Sequence, residues 1–319
     1  MISKVLVTGG AGFIGSHICD ELVQKKIQVV CIDNLISGFM RNINHLLDNP
    51  QFTFIEGDIR DWDTCISAIK DCDAVCHQAA LGSVPRSIEN PIATNAHNIT
   101  GTLNIFNAAR ISGIKRVVYA SSSSVYGDEI TMPKVEGKIG QPLSPYAITK
   151  RVSELYSSVF TELYSMEMIG LRYFNIFGPR QDPGGMYAAV IPKFVQCLID
   201  GNPPIIYGDG NQTRDFTFVS NAVQANISAL MGNDPNSFGS VYNIACGGEI
   251  SVNQLFSKIR EILSESFEGI EKIEAKHVEP RQGDVRNSLA NISKAEQEIG
   301  YLPTIDINTG LIKTVKSFY

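Results

Sequence analysis

The sequence predicts an α/β fold in which a doubly wound parallel sheet carries a smaller mixed α/β lobe. In the first half of the chain, short apolar runs alternate with longer amphipathic segments, and this alternation favours parallel strands that helices cover on both faces. From about Phe177, glycine and proline interrupt the sequence instead. This change indicates loops above the carboxyl ends of the sheet, where open α/β sheets bind ligands.

The predicted elements follow this alternation along the chain. Apolar runs predict strands at 5–8, 28–32, 52–56, 74–77, 116–120 and 168–172. Amphipathic periodicity predicts helices at 13–25, 62–69, 95–111 and from 145 past 156. The run 241–245 is expected to rejoin the sheet, and 252–263 to form a helix of the smaller lobe.

Length and organisation together predict two lobes. At 319 residues the chain exceeds the usual size of one compact domain. We assign residues 1–175 to the sheet domain, with 216–246 returning to it. Residues 176–215 and 247–319 form the smaller, substrate-binding lobe in this assignment.

Composition and charge argue against several function classes. The net charge of −6 disfavours a nucleic-acid partner, no apolar run approaches the roughly 20 residues of a membrane span, and the N-terminus enters a strand pattern without a signal peptide. The seven cysteines form no C-x-x-C pair and the five histidines lack metal-ligand spacing. We therefore expect no metal, no membrane partner and a reducing, cytoplasmic setting.

A glycine-rich turn joins the first predicted strand to the first predicted helix. Gly9, Gly12 and Gly15 have the spacing that permits a tight turn, close approach of the backbone to pyrophosphate and close helix–strand packing. Phe13 and Ile14 then open the helix, whose N-terminal N–H groups favour phosphate. The pattern predicts a Rossmann-type dinucleotide-binding domain.

Two acidic residues are placed to bind the adenosine half of the dinucleotide. Asp33 ends the second strand, 18 residues after Gly15. Its carboxylate can accept both ribose hydroxyls and would repel a 2′-phosphate, which favours NAD over NADP. Asp58 follows the third strand, where an acid could bind the adenine amine. A turn or cap role is the alternative for each, and Asp61 is itself a plausible N-cap.

Tyr146 and Lys150 form a Tyr-x-x-x-Lys pair on one face of the second long helix. A phenol has a pKa of about 10, and an adjacent ammonium is expected to lower it toward the working range of a base. The preceding strand ends in four serines at 121–124, whose hydroxyls can bind a substrate hydroxyl and relay its proton. An amphipathic pair on a dimer face and capping serines are the alternative interpretations.

Together these residues resemble the extended short-chain dehydrogenases/reductases, and specifically the UDP-hexose 4-epimerases. The resemblance covers essentially the whole chain. It rests on the segments 8–15, 33–35, 57–60, 121–127, 146–150, 171–175, 213–216 and 283–286. The run 80–87 is similar to bacterial epimerases that prefer N-acetylated UDP-hexosamines.

The resemblance implies a role for each matching residue. Tyr146 would be the base, Lys150 its partner, and Ser122 the residue that holds the reacting hydroxyl. The implied NAD-binding residues are Gly9, Gly12, Phe13, Ile14, Gly15, Asp33, Asn34, Asp58, Ile59, Gln78, Asn98, Tyr146 and Lys150. The implied UDP-sugar-binding residues are Ser83, Ser122, Ser123, Asn175, Gln181, Ala189, Val190, Lys193, Tyr207, Arg214, Arg281, Asp284 and Ser288. Both arginines would bind the diphosphate, and Asp284 the uridine ribose.

The implied reaction is a redox-neutral inversion at C4 of the sugar. The phenolate takes the 4-OH proton while a hydride passes to NAD, the 4-keto sugar turns, and the hydride returns to its other face. Related dehydratases and decarboxylases carry carboxylates just before the Val-Tyr-Gly, where this chain has Ser123 and Ser124. A non-catalytic sensor or scaffold is the alternative of another class, and such a protein would be expected to lose Tyr146, Lys150 or the serines.

Sugar choice is expected to depend on Ser288, four residues after Asp284. Epimerases restricted to glucose and galactose hold a bulky tyrosine there, and a serine leaves room for a 2-acetamido group. This favours UDP-N-acetylglucosamine/UDP-N-acetylgalactosamine, although Ser288 could be merely a loop residue. Ser83, Ser123, Arg86 and the loop 181–186 could face a hydroxymethyl group or a carboxylate, so a UDP-N-acetylglucosaminuronate 4-epimerase is the alternative.

The resemblance also implies an assembly. Related enzymes pair as homodimers through two long helices, here 95–111 and 145–164, and we expect the same arrangement.

Overall fold

A parallel sheet forms the centre of the computed structural model, which describes residues 2–184, 188–280 and 286–319. Its seven strands are β1 (Lys4–Thr8), β2 (Gln28–Asp33), β3 (Phe52–Glu56), β4 (Ala74–His77), β5 (Arg116–Ser122), β6 (Glu167–Tyr173) and β7 (Ser240–Ile244). They lie in the order β7-β6-β5-β4-β1-β2-β3, and every neighbouring pair is parallel. The strand order reverses between β1 and β4, and sheets of this type bind ligands in the crevice beyond that point.

Helices cover both faces of the sheet. They are α1 (Phe13–Gln24), α2 (Trp62–Ala68), α3 (Val84–Glu89), α4 (Pro91–Asn95), α5 (Thr102–Ile111), α6 (Pro145–Tyr164), α7 (Val190–Ile199), α8 (Val219–Met231), α9 (Val252–Ser264), α10 (Ser293–Ile299) and α11 (Ile307–Lys316). Successive side chains of β1 point to opposite faces: Val5 and Val7 pack in a buried cluster with α1 and α8, and Leu6 packs in a second cluster with α2 and α5. The predicted doubly wound α/β fold is therefore confirmed.

The smaller lobe is mixed α/β. Besides α7 and α9 it contains short strand pairs: Ile205–Tyr207 with Lys276–Val278 in parallel, and Thr213–Arg214 with Ile250–Ser251 in antiparallel. A further short parallel pair, Ile176–Phe177 with Thr217–Phe218, lies where the chain leaves the sheet. β7 pairs with β6, as the run 241–245 predicts. The exact domain boundaries remain a prediction.

The segment predicted as one helix over 95–111 differs most from expectation. Helical structure begins earlier, at Pro91, because Asn90 caps α4 by accepting a hydrogen bond from the N–H of Ala93 at 3.0 Å and proline suits the first helical turn. The residues Ala96–Gly101 then form a π-helical segment that leads into α5. Such segments are frequent at functional sites. Within the described part of the chain, no helix is both long and apolar enough to cross a membrane.

Candidate active site

The glycine-rich turn has a shape that requires glycine. Gly9 has a φ of +68°, and a Cβ there would lie 2.7 Å from the backbone of Ala79. A Cβ on Gly15 would lie 2.2 Å from the carbonyl oxygen of Gly9. Because Gly12 provides no side-chain cap to α1, the first turn of this helix, which starts at Phe13, can offer its N–H groups to an anion. The turn therefore fits the pyrophosphate of a dinucleotide.

The carboxylate of Asp33 lies at the end of β2, and the residue lines the same cavity as the glycine turn. It accepts hydrogen bonds from the backbone N–H groups of Ala11 at 3.0 Å and Leu35 at 2.8 Å. Burial raises the pKa of Asp33, and these two hydrogen bonds oppose the rise. The backbone donors fix the orientation of the carboxylate, whose remaining lone pairs suit the paired hydroxyls of a ribose.

Neighbouring side chains donate hydrogen bonds to the carboxylate of Asp58. Arg60 donates to it from Nε at 2.9 Å and from Nη2 at 2.8 Å, and the amide of Asn34 donates at 2.8 Å. Chiefly because of Arg60, the pKa of Asp58 lies well below its usual range. Gly57 and Ile59 line the cavity at this point together with Asn34. Contact between Asp58 and adenine thus stays a prediction.

A cavity of about 670 Å³ runs from the glycine turn to Tyr146 and Lys150. Its wall is formed where β1, β2, β4, β5 and β6 end, which is the crevice that the strand order predicts. This volume is in the range of cofactor sites. The fold thus places the glycine turn and the Tyr-x-x-x-Lys pair around one continuous cavity.

Tyr146, Lys150 and Ser122 meet at the inner end of this cavity. The first two lie on α6, whose N-terminus is capped by Ser144. Nζ of Lys150 lies 5.9 Å from the centroid of the Tyr146 ring and donates to the carbonyl oxygen of Ala120 at 2.7 Å. The hydroxyl of Ser122 accepts from the N–H of Ser124 at 3.1 Å and lies close enough to the Tyr146 phenol to lower its pKa. The three side chains named from the sequence as catalytic are therefore neighbours.

Burial dominates the ionisation of both the phenol and the amine. It lowers the pKa of Lys150 to about 8, an effect that the carboxylate of Glu154 opposes. It raises the pKa of Tyr146, while the neighbouring Ser122 hydroxyl opposes the rise. The lowered phenol pKa predicted from the Tyr-x-x-x-Lys spacing is therefore wrong. Loss of hydration is the dominant cause, and the ammonium of Lys150 donates to the carbonyl oxygen of Ala120.

The profile of the NAD dependent epimerase/dehydratase family matches residues 5–245. The chain belongs to this family. Its cofactor is NAD, which the glycine turn and the position of Asp33 fit.

Members of the family align with nearly all of the chain. UDP-glucose 4-epimerase of Mycolicibacterium smegmatis is 35% identical over 317 residues, which cover 99% of this chain and 98% of that protein. A UDP-N-acetylglucosamine 4-epimerase from Methanobrevibacter ruminantium, solved in complex with UDP-N-acetylmuramic acid, is 42% identical, with a TM-score of 0.92 over 99% of this chain and 98% of that one. A UDP-glucuronic acid 4-epimerase from Bacillus cereus, solved with UDP-glucuronic acid and NAD, is 31% identical, with a TM-score of 0.89 over 99% of this chain and all of that one (100%). These relatives confirm the predicted enzyme class, the UDP-sugar 4-epimerases.

Several predicted substrate residues of this epimerase-family chain lie at the cavity. Ser83, Gln181 and Ala189 line it. Ser122 ends β5, and Ser123 begins the short 3-10 turn that follows. The sugar end of the predicted site is therefore bordered by residues from the sheet domain and from the start of the lobe.

Other predicted substrate residues lie in the lobe, outside the lining of this cavity. Val190 and Lys193 lie in the first turn of α7, and Tyr207 and Arg214 each end a short strand. Ser288 accepts a backbone hydrogen bond from Asp215 at 2.8 Å. Arg281 and Asp284 lie outside the described residues. The substrate roles of this group stay predictions.

Two predicted ligand-binding residues also hydrogen-bond within the protein. Asn98 is only 1% exposed and does not line the cavity; it accepts from the N–H of Leu81 at 2.8 Å and donates to its carbonyl at 3.1 Å, so its amide holds a segment of the cavity wall. Asn175 has a φ of +38° and donates to the carbonyl oxygen of Asp215 at 3.0 Å, as a turn residue does. The ligand contacts of both residues stay predictions.

Three residues near the reactive end were missed by the sequence reasoning. Asn226 donates to the hydroxyl of Tyr173 at 2.7 Å, Tyr173 donates to Gln78 at 3.0 Å, and Gln78 donates back to Asn226 at 2.9 Å. This closed ring orients the amide of Gln78, which lines the cavity with Tyr173. His97 also lines the cavity. Tyr173 was detectable because it directly follows the predicted strand 168–172, but no local pattern around Asn226, on α8, indicates its role.

Proposed function

We propose that this chain inverts C4 of UDP-N-acetylglucosamine to give UDP-N-acetylgalactosamine, and the reverse, through a transient 4-keto sugar. The observation that carries the proposal is the meeting of Tyr146, Lys150 and Ser122 at the end of the cavity that begins at the glycine turn. A base, a cation and a hydroxyl relay at that place suit oxidation and re-reduction of a secondary alcohol.

The chain's own residues would divide the work as follows. When bound, NAD supplies the site that accepts and returns a hydride. Ser122 would hold the 4-hydroxyl of the sugar, and the phenol oxygen of Tyr146 would take its proton and later return it. Lys150, protonated below its pKa of about 8, would favour the phenolate. The glycine turn and Asp33 would keep the cofactor in place between the two half-reactions.

Elimination chemistry has no acid–base pair at this site. The residues between β5 and Tyr126 are Ser123, Ser124 and Val125, and none carries a carboxylate. The lack of a carboxylate at 123–125 supports epimerisation over dehydration.

The small side chain of Ser288 supports the N-acetylated sugar. Its carbonyl is fixed by Asp215 at 2.8 Å, so the segment has a defined place in the lobe, and a serine there occupies far less volume than a tyrosine. The likeness to the 42% identical UDP-N-acetylglucosamine 4-epimerase supports the same choice.

The second candidate is a UDP-N-acetylglucosaminuronate 4-epimerase. It is favoured by the presence of Arg86 among the residues that line the cavity beside Ser83, because a guanidinium suits a C6 carboxylate. The structural likeness to a UDP-glucuronic acid 4-epimerase is in line with this alternative.

A substrate panel tests the proposal. UDP-glucose, UDP-N-acetylglucosamine and its uronic acid are each incubated with the enzyme, and the stereoisomers are separated. We expect the highest kcat/KM for UDP-N-acetylglucosamine. A clear preference for the uronic acid would establish the second candidate, and a preference for UDP-glucose would refute the argument from Ser288.

We further propose a homodimer in the cytoplasm. An apolar stripe runs along the exposed side of α6 through Ile148, Leu155, Val159 and Leu163, which are 46–66% exposed. Spacings of seven and four residues place these side chains on one face, as helix packing against a second copy requires. All seven cysteines are free thiols, which fits a reducing compartment. Sedimentation analysis should give twice the mass of the chain, and a monomer would contradict the proposed pairing.

A further inference from the structure

Glu154 repeats the spacing of the Tyr-x-x-x-Lys pair one turn further along α6. Tyr146, Lys150 and Glu154 follow one another at intervals of four, so all three face the same side of the helix. Glu154 is 5% exposed, which is rare for a carboxylate. The division of roles proposed above gives it no part.

Each of these three residues contacts one residue of the segment 120–122 at the end of β5. The Tyr146 phenol lies near the hydroxyl of the last of the three, which lowers its pKa, and Lys150 donates to the carbonyl oxygen of the first at 2.7 Å. Ser121, in the middle, donates its hydroxyl to Glu154 at 2.7 Å. The end of the strand is thus hydrogen-bonded to α6 at two successive positions, and Glu154 supplies one of these bonds.

Arg172 on β6 holds Glu154 from the opposite side. Its Nε donates to Oε1 at 2.8 Å and its Nη2 to Oε2 at 2.9 Å, and Arg172 is 1% exposed. Arg151 adds a third contact at 3.0 Å from the solvent side. Burial opposes ionisation of Glu154, but Arg172 outweighs it, so the pKa of Glu154 lies below its ordinary value. A two-point charged hydrogen bond of this kind fixes both distance and orientation.

We propose that Glu154 is a positioning residue for proton transfer in this enzyme. Anchored by Arg172, it holds the end of β5 so that the Ser122 hydroxyl and the ammonium of Lys150 stay beside Tyr146, and its negative charge helps Lys150 to keep its proton. This inference rests on the proposed epimerisation, because it requires the same hydroxyl relay to operate.

The groups around Lys150 determine the direction in which loss of the Glu154 charge would shift the pKa of Lys150. From α6 it faces Tyr146 and Glu154, from β5 a backbone carbonyl, and from β4 the ring of His77. Burial, followed by Lys150 itself, lowers the pKa of His77 to about 3, so that ring is neutral. Glu154 is the carboxylate that opposes the lowering of the Lys150 pKa, and Arg172 lies beyond it. Removal of this charge must lower the Lys150 pKa further.

Ser121→Ala removes the hydrogen bond from Ser121 to Glu154. Glu154 keeps its ion pair with Arg172, so no buried charge loses its partner. We expect kcat to fall about tenfold, because misplacement of a relay by a fraction of an ångström slows the chemical step, while KM and NAD content stay within about twofold. Ser153→Ala is the matched control. Ser153 is also buried on α6, but its hydroxyl bonds the carbonyl of Thr149 within the helix at 3.1 Å. It should retain the wild-type rate.

Glu154→Gln tests the charge, because the amide keeps the size of the side chain. We expect the alkaline limb of the kcat/KM profile to move to lower pH by about one unit. Arg172 is left without its anion in this variant, and such a loss is strongly destabilising. If the variant does not fold, Glu154→Gln combined with Arg172→Met removes both charges, and a shift in the same direction is expected.

The outcomes separate this inference from the proposed function. The inference is supported if Ser121→Ala loses rate, Ser153→Ala does not, and the charge variant shifts the alkaline limb. It is overturned if Ser121→Ala matches Ser153→Ala, or if the limb stays in place. A wild-type enzyme that converts no UDP-sugar while holding NAD would instead defeat the proposed function.

Discussion

Removal of one oxygen atom from Tyr146 tests the assignment of the base. Tyr146→Phe keeps the ring on α6 and deletes the phenol oxygen, whose pKa the neighbouring Ser122 hydroxyl lowers. A positioned general base contributes about 10²–10⁴ to a rate, so we expect kcat to fall by roughly three orders of magnitude, or about 4 kcal/mol of activation free energy.

The same change should leave binding and folding nearly intact. Loss of one hydrogen bond costs about 1 kcal/mol of the free energy of unfolding, a small part of the roughly 5–15 kcal/mol of a typical domain. The glycine turn follows β1 and Asp33 ends β2, whereas Tyr146 lies on α6, so the change leaves the elements that hold these NAD-binding residues untouched. NAD content and UDP-sugar affinity should therefore stay close to those of the wild type.

The assay is separation of UDP-sugar stereoisomers after timed incubation, with NAD released by denaturation and measured by absorbance. Tyr156→Phe is the matched control, since Tyr156 lies on the same helix and packs edge-on against Phe160 with ring centroids 6.2 Å apart. A Tyr146→Phe enzyme with full NAD content and a rate within about threefold of the wild type would show that another group takes the proton.

Three more predictions concern specificity, the cofactor and pH. Ser288→Tyr should lower kcat/KM for N-acetylated substrates at least about tenfold relative to UDP-glucose, and an unchanged ratio would remove Ser288 as a determinant. Asp33→Ala should weaken NAD about 10- to 100-fold, and Asp33→Asn less, since it keeps one acceptor; equal NAD retention would refute the ribose contact. Lys150 has a folded pKa of about 8 against an ordinary 10.5, so it is protonated below pH 8, and kcat/KM should fall above that pH. A profile flat to pH 10 would contradict this.

The local part of the site was predictable because it depends on short spacing. Gly9 and Gly15 permit contacts that a Cβ would block at 2.7 and 2.2 Å, and such requirements leave a pattern within one strand–turn–helix unit. Tyr146 and Lys150 are one helical turn apart, so their shared face also follows from spacing. Parallel strands end at one edge of a sheet, which brings Ser121 and Gln78 to the same cavity although they lie 43 residues apart in sequence.

The rest depends on tertiary contacts that spacing does not encode. Asn98 has the residue type of a ligand contact, but the π-helical segment turns its amide to the backbone of Leu81. The prediction of a lowered phenol pKa was wrong for a similar reason. Spacing determines the helical face on which Tyr146 lies, whereas burial determines how far its phenol is hydrated. Asn226 is completely buried and acts through Tyr173 and Gln78, partners that lie far from it in the sequence.

Asp215, which is completely buried, connects the segment that contains Ser288 to the end of the sheet. Its carboxylate accepts from the N–H groups of Cys246 at 2.9 Å and Gly247 at 3.1 Å, just after β7, and its own N–H donates to Ser288 at 2.8 Å. Ser288 is therefore held at a fixed distance from the sheet that carries the serine strand. A larger side chain there cannot be accommodated by moving the segment without breaking these bonds. Substitution of Ser288 should thus change which sugar binds and leave the pH dependence set by Lys150 unchanged.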